Sequence, residues 1–284
     1  MTLLIGSIEL GLIYGILALG VYITFRILNI PDLTVEGSFV LGMATTAIFT
    51  VSGNPILGLL AAIAAGAAAG MVTGLLQTKL MVNPILSGII VMTGLYTVNL
   101  SIMGGKANMS ILGNETIFSM LGNKTILSII IAVSIALLIG VFFKTRIGLA
   151  IRGTGDNEEM VRAASIDSDL TKCIALALAN SLVALSGGLI AHYQLFSDVG
   201  SGAGIVVIGL ASVIIGEVLL GKRGVIFGLL SAIGGSIIYR VIIAFALKVD
   251  LFPAYSLKLI SAIVVMAALS GPYIKKTCKY KKIG

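Results

Sequence analysis

Charged side chains, the groups best suited to chemistry, are concentrated in one short stretch near the middle of the chain. Residues 152–169, "RGTGDNEEMVRAASIDSD", carry seven of them, whereas only 11% of the whole chain is charged. Carboxylates and guanidinium groups at such a density can bind a nucleotide, a metal ion or another protein. The residue types elsewhere in the chain decide among these possibilities.

Nucleotide, metal and catalytic sites all lack residues that they need. Gly216–Arg223, "GEVLLGKR", has the spacing of a phosphate-binding loop, but arginine stands where serine or threonine must bind Mg²⁺. Two cysteines and one histidine offer no metal-ligand spacing. A single histidine and no paired aspartates within the apolar segments argue against an intramembrane enzyme. The sequence therefore predicts a chain that is not an enzyme and binds no cofactor itself.

The charged stretch has instead the features of a short docking helix. Asp156 followed by Glu159 resembles a capping box with Asp156 as N-cap, and Gly153 and Gly155 are predicted to form the turn before it. Glu158 and Glu159 would sit in the first turn, where the helix dipole favours negative charge. A small apolar surface follows, at Met160, Val161, Ala163, Ala164 and Ile166. A helix of two to three turns is unstable alone in water, so we expect it to dock into a protein groove.

The elements around this stretch are membrane spans. The chain is 58% hydrophobic with a mean hydropathy of +1.12, and its apolar stretches are about long enough to cross ~30 Å of hydrocarbon. They predict an all-α, polytopic membrane protein with about nine transmembrane helices, near residues 3–25, 36–50, 57–78, 86–104, 125–144, 172–193, 204–220, 228–246 and 257–275.

Basic residues predict the orientation of these spans. Nine spans place fourteen basic residues in loops on one side and four on the other. By the positive-inside rule, the N-terminus lies outside, and the 145–171 loop and the C-terminus lie in the cytoplasm. The basic tail "KKTCKYKK" is then a flank of the last span, and no nucleic-acid partner is expected.

The order of long and short spans suggests two inverted repeats, about 3–104 and 172–275, within a single domain 1–284. The two short spans occupy matching places, each after a breaker segment, "NIPDLTVEG" (29–37) and "SDVGSGAG" (197–204). Broken segments at matching positions indicate a translocation path in transporters, although ordinary tight loops are the alternative. The predicted path residues are Asn29, Asp32, Thr34, Glu36, Asp198, Gly200 and Gly202. For Asp32 itself, we favour capping of the second span over solute contact.

Single residues within spans give three further expectations. Glu9 and Arg240 lie at similar depths and are predicted to form a charge pair; the alternative is that Arg240 extends to the surface and Glu9 is protonated or wet. His192, at a span end, is expected to be an interfacial anchor. Small residues every fourth position in the third span, at Gly66, Gly70 and Gly74, predict a helix-packing seam.

Three segments together resemble a known family. "KTRIGLAIRGTGDNEEMVRAASID" (144–167) is similar to the coupling segment of ABC importer permeases, in particular those serving branched-chain amino acids, monosaccharides and related solutes. "PDLTVEGSFVLG" (31–42) and "GIVVIGLASVIIGEVLLGKRG" (204–224) resemble two other segments of that family. One departure is Ile166–Asp167, where many relatives have a glycine-containing pair.

The resemblance implies a permease subunit in a bacterial plasma membrane, acting with partners. Two permease copies, as a homodimer, would form the path in membrane lipid, a cytoplasmic ATPase dimer would hold ATP and Mg²⁺, and an extracytoplasmic lipoprotein would deliver the solute. The implied ATPase-coupling residues are Gly155, Asp156, Asn157, Glu158, Glu159, Met160, Arg162, Ala163 and Ala164. The favoured solute is an aromatic amino acid such as tyrosine or tryptophan, then a branched-chain amino acid or a nucleoside. The rival mechanism is an ion-coupled secondary transporter, which would need ion ligands near the middle of the membrane.

Overall fold

The computed structural model describes residues 2–120, 122–221 and 224–248, together with 259, 262, 263 and 266. Within that part of the chain, eight helices are long and apolar enough to cross a membrane. This confirms the predicted all-α, polytopic fold. The ninth predicted span, 257–275, falls outside the described residues apart from those four positions.

The spanning helices follow the predicted spans closely. They are α1 (Thr2–Tyr22), which continues as a π-helical turn (Ile23–Ile27), α2 (Thr34–Val51), α3 (Pro55–Thr78), α4 (Pro84–Ile102), α6 (Lys124–Phe142), α9 (Ser168–Gln194), α10 (Ile205–Leu220) and α11 (Val225–Lys248). The shorter elements are β1 (Asn108–Ser110), α5 (Ile117–Met120), α7 (Arg146–Asp156), α8 (Glu158–Ala163), β2 (Phe196–Asp198) and a 3₁₀ turn (Val199–Gly202).

Local sequence explains where several of these helices begin. Pro55 and Pro84 stand at the start of α3 and α4, where a missing N–H costs no hydrogen bond. The Asn83 and Asn123 side chains accept first-turn N–H groups of α4 and α6. Gly204 precedes α10 with φ +87°, a conformation that side chains other than glycine's rarely adopt. Capping and proline placement therefore fix these boundaries.

Helix α9 lies at the centre of the bundle, packed closely against α2 and α3. A Cβ added at Gly66 or Gly70 would overlap the main-chain oxygens of Asn180 or Leu176, and one at Gly74 would lie 2.8 Å from the Cα of Cys173. The predicted glycine seam is therefore the α3–α9 contact. The Cys173 side chain is buried by it.

The length of α9 gives the molecule two ends. Its 27 residues span about 40 Å at 1.5 Å per residue. Ser168, its first residue, lies beside α8, and Gln194, its last, leads into β2. Strand β2 pairs antiparallel with β1, with Asn108 opposite Asp198. Asn180 stands near the middle of the helix, which places its neighbours at mid-depth in the bundle.

The predicted charge pair is not formed, although the structure describes both residues. Glu9 instead accepts hydrogen bonds from the Tyr193 hydroxyl, at 2.8 Å, and from the Thr125 hydroxyl. The Arg240 guanidinium lies over the ring of Tyr14, 3.6 Å from its centroid. Glu9 is thus bound by two hydroxyl groups, and Arg240 packs on an aromatic ring. Similar depth in the membrane did not imply contact between them.

His192 is also not the predicted interfacial anchor. Its side chain is 1% exposed, and its Nε2 atom is 2.8 Å from the Thr50 hydroxyl on α2. The histidine therefore joins the last turns of α9 and α2 inside the bundle.

Candidate translocation site and coupling segment

The first breaker segment contains a buried carboxylate, Asp32, in the middle of the bundle. Asp32 is fully buried; its Oδ1 accepts the backbone N–H of Thr34 at 2.9 Å, and its Oδ2 accepts the side-chain amide of Asn180 at 2.7 Å. The N-cap position of α2 belongs to Leu33, not to Asp32 as predicted. Asp32 still binds an N–H of the first turn, and it also ties the break to the middle of α9.

A pair of threonines fastens the start of α2 to α3. The hydroxyls of Thr34 and Thr73 are 2.7 Å apart, and Thr73 donates to the carbonyl of Ala69. Thr34 therefore donates to Thr73. Asp32 is bound to α9 and Thr34 is bound to α3, so these two contacts fix the start of α2 near mid-depth.

The second breaker segment reaches the same depth and meets the first. The backbone N–H of Gly204 donates to Glu36 Oε1 at 2.9 Å, and a Cβ at Gly202 would overlap the carbonyl oxygen of Glu36. Asp198 accepts the N–H of Gly200 at 2.7 Å and a weaker bond from Asn108 at 3.4 Å. The two breaks are thus in direct contact. In many transporters, helices broken near mid-membrane form the solute site.

A pocket of about 350 Å³ lies where the breaks meet helix α4. Its lining residues are Glu36, Gly37, Val40, Met92, Thr93, Tyr96, Asn99, Val199, Gly200, Gly202 and Ala203. Three predicted path residues are among them: Glu36, Gly200 and Gly202. The other four predicted residues make hydrogen bonds that hold the breaks in place: Asn29, Asp32, Thr34 and Asp198.

Sequence reasoning missed the contribution of α4 to this pocket. Thr93, Tyr96 and Thr97 are exposed at the middle of that spanning helix, and Gly94 beside them has open space. Polar side chains at mid-span usually face a bundle interior or a water-filled cavity. This cluster of hydroxyl groups within one span was the available signal.

A second, polar pocket of about 280 Å³ lies at the end of the molecule near α7. Arg26 and Glu217 form an ion pair there that joins the end of α1 to the end of α10. Asn29 lines the same pocket, with φ +55°, and donates from its side-chain amide to the carbonyl of Gly155 at 3.0 Å. Asn29 therefore holds α7 against the first break.

The charged stretch forms two helices, which corrects the predicted single one. Gly153 and Gly155 lie inside α7, not in a turn before the docking helix. Position 155 requires glycine because a Cβ there would overlap the carbonyl oxygen of Ile27. Asp156 is the last residue of α7 and not an N-cap. Asn157 caps α8 instead, its side chain accepting the N–H of Met160 at 3.0 Å.

Helix α8 ends without the glycine that is usual at such a place. Ser165 adopts φ +61°, its N–H bonds to the carbonyl of Arg162, and the N–H of Ile166 bonds to that of Val161. This is the Schellman pattern, which turns the chain into α9. Asp167 then caps α9 by accepting two backbone N–H groups.

Glu158 holds the two sides of this bend together. Its carboxylate binds Arg162 at 2.8 Å, Ser168 at 3.1 Å and Lys172 at 2.6 Å. Burial raises the pKa of Glu158, but the hydrogen bond and charge of Lys172, with those of Ser168 and Arg162, outweigh it, so the pKa lies below its usual value. Glu158 is therefore ionised at neutral pH and keeps these contacts.

Exposed apolar side chains surround the bend. Met160 is 61% exposed, Ile166 40% and Leu170 58%, and Ala163 and Ala164 are exposed beside them. Val161 alone turns inward, against α7. A hydrogen-bonded polar segment with an uncovered apolar face has the character of a protein-binding surface; we call Met160–Leu170 the elbow surface.

Comparison with known proteins identifies the kind of molecule. Residues 3–269 match the family described as "Branched-chain amino acid transport system / permease component". The chain belongs to this permease family. It is 38% identical, over 95% of its length and 91% of the relative's, to a tyrosine transport system permease protein of Clostridioides difficile. It is 27% identical, over 98% and 93%, to a probable branched-chain amino acid transport permease protein of Methanocaldococcus jannaschii.

A solved structure shares the fold of this permease. The chain is similar to one in the complex "PsaBC from Streptococcus pneumoniae in complex with Fab", with a TM-score of 0.52 and 17% identity over 94% of this chain and 87% of that one. At that identity the likeness concerns the fold alone. It supports the helical arrangement described above for a transporter permease.

Proposed function

We propose that this permease is the membrane subunit of an ATP-driven ABC importer for amino acids, with an aromatic amino acid such as tyrosine as the solute. The observation that carries the proposal is the elbow surface, which is held by the ion pairs of Glu158 and leaves the apolar side chains of Met160, Ile166 and Leu170 uncovered. Family membership and the similarity to a tyrosine transport permease support the choice of solute. Similarity to a branched-chain amino acid permease makes that class of solute the second candidate.

The elbow surface is the proposed docking site for a cytoplasmic ATPase dimer, which holds the ATP and Mg²⁺. The proposed coupling segment, from Gly155 to Ala164, consists of the end of α7 and helix α8, and it supplies the first part of the elbow surface. Gly155 acts through packing on Ile27, while Met160 and Ala163 are free to touch a partner. Because Asn29 binds Gly155, a push on α7 reaches the first break directly.

The proposed path runs through the pocket between the two breaks. A second copy of the permease, facing the exposed side of α4, would complete it, and an extracytoplasmic lipoprotein would deliver the solute. The alternative is an ion-coupled mechanism, for which Glu36 would be the one carboxylate in the pocket; Asp32, buried at mid-depth, is bound to Thr34 and Asn180 and lies outside the pocket. The proposal assigns ATP binding to the partner ATPase.

Ala163→Arg should uncouple the importer. Ala163 is exposed at the end of α8, so arginine disturbs nothing in the permease but obstructs the docked ATPase. Losing a central interface contact costs ~2 kcal/mol or more, and we expect ATPase retention in a pull-down and ATP-driven tyrosine uptake into proteoliposomes to fall by at least about tenfold. The control is Ser52→Arg, which adds the same side chain at an exposed position in the turn between α2 and α3, at the opposite end of the bundle. Retention of the ATPase by Ala163→Arg at the control level would remove the coupling role.

The proposed orientation predicts a labelling pattern. Cys173 is buried, so both native cysteines are replaced by serine and a single cysteine is introduced. A membrane-impermeant maleimide should label Glu159→Cys only in inverted vesicles, and Glu115→Cys, in the loop after β1, only in intact cells; both positions are exposed. Labelling of Glu159→Cys in intact cells would reverse the orientation inferred from the basic residues.

A further inference from the structure

The pocket between the breaks and α4 has the chemistry of a binding site for one particular part of an amino acid. Among its lining residues are one carboxylate, on Glu36, and no lysine or arginine. Its volume of about 350 Å³ lies at the small end of the range for small-molecule sites. Charge complementarity therefore favours a small solute that presents a cationic group.

Two acceptor atoms at this pocket are unoccupied. Glu36 uses Oε1 to bind the N–H of Gly204, and the described residues give its Oε2 no hydrogen bond. Asn99 is 1% exposed; its amide nitrogen donates to the carbonyl of Gly37 at 3.2 Å, while its Oδ1 is buried without a partner in the described chain. A buried acceptor without a donor is costly, and an ammonium group carries three donors.

The rest of the wall suits an apolar or aromatic side chain. Met92, Val40 and Val199 supply apolar surface, and Tyr96 is 55% exposed, so that its ring is free to contact a solute. Aromatic and thioether groups pack well against aromatic rings. The polar and apolar parts of the pocket thus match the two parts of one molecule.

We propose that Glu36 and Asn99 bind the ammonium group of the amino acid in transit, and that Tyr96 contacts its side chain. The proposal rests on the proposed importer function and adds the residues that the solute touches. Only one end of the zwitterion is held, which keeps the contact weak enough for release, as transport requires.

Glu36→Gln separates this role from a structural one. The glutamine carbonyl oxygen still accepts the N–H of Gly204, so the bond between the breaks is kept, but the charge is lost. In proteoliposomes containing the complete importer, with L-tyrosine as the probe, we expect kcat of uptake to fall about tenfold, the scale of one charged hydrogen bond. KM for the loaded binding protein should be unchanged, because that protein docks elsewhere.

Tyr96 variants provide a second test that does not depend on the fold of the breaks. Tyr96→Ala should slow L-tyrosine uptake several-fold, whereas Tyr96→Phe keeps the ring and should match the wild type. Val98→Ala, also exposed on α4 but outside the pocket, is the control. Wild-type rates for both Glu36→Gln and Tyr96→Ala would overturn the proposal. Absence of tyrosine or leucine uptake by the wild-type importer would instead contradict the proposed function.

Discussion

Asn180→Asp should nearly eliminate the folded permease. The substitution places a second carboxylate against Asp32, which is fully buried and 2.7 Å from the Asn180 amide. Two carboxylates in contact at a buried site repel each other when both are ionised, and losing the amide donor leaves a buried acceptor unpaired at a cost of about 1–3 kcal/mol. We expect a large loss of monodisperse protein after detergent extraction and of any tyrosine uptake, measured by size-exclusion chromatography and in proteoliposomes.

The reciprocal exchange is the control for that effect. In the double variant Asp32→Asn, Asn180→Asp, the new asparagine accepts the N–H of Thr34 and donates to the new carboxylate, so the hydrogen-bond pattern is restored in reverse. We expect most of the folded yield to return. Equal losses in the single and double variants would show that the two side chains act independently.

Gly42→Ala should be almost as damaging, although it adds one methyl group. A Cβ at Gly42 would overlap the carbonyl oxygen of Ala184, because α2 and α9 are in backbone contact there. The helices would have to separate along a buried interface, and overpacking of this kind typically costs 1–3 kcal/mol or more. The expected result is a lower midpoint of thermal aggregation in detergent and reduced transport.

Gly140→Ala is the matched comparison on α6. A Cβ there would meet only the Ile226 side chain, at 3.9 Å, which is ordinary contact. The same chemical change should leave stability unchanged or raise it slightly, since alanine favours helix over glycine. Equal thermal midpoints for the two variants would contradict the close approach of α2 and α9.

Much of this fold was predictable because apolar length is a strong signal in membranes. The short second and seventh spans, expected at 36–50 and 204–220, appear as Thr34–Val51 and Ile205–Leu220. Breaker residues predicted both interruptions, since proline and clustered glycines disfavour a continuous helix. What sequence did not reveal is that the two interruptions meet, because that contact joins residues 168 positions apart.

Other predictions failed for reasons specific to each residue. Gly153 and Gly155 were assigned to a turn because glycine commonly marks one, but Gly155 is required for the approach of α7 to Ile27. The expected pairing of Glu9 with Arg240 ignored the hydroxyl groups that bind Glu9 and the Tyr14 ring on which the Arg240 guanidinium lies. The place of Tyr96 in the pocket was missed because the cluster of hydroxyl groups on α4 was not considered, although polar side chains at mid-span usually face a bundle interior or a cavity.

The short ribbon at the far end of the molecule has a mechanical consequence. Strand β2 ends at Asp198, which pairs with Asn108 on β1, and the next residue, Val199, donates its N–H to the carbonyl of Ala107. Only three residues then separate Asp198 from Gly202, which is packed on Glu36. Because this connection is short and Val199 is bound to Ala107, the position of the loop before β1 influences the position of Gly202 at the wall of the pocket. We expect a displacement of that loop to move Gly202 relative to Glu36, so the ribbon links the far end of the molecule to the contact between the two breaks.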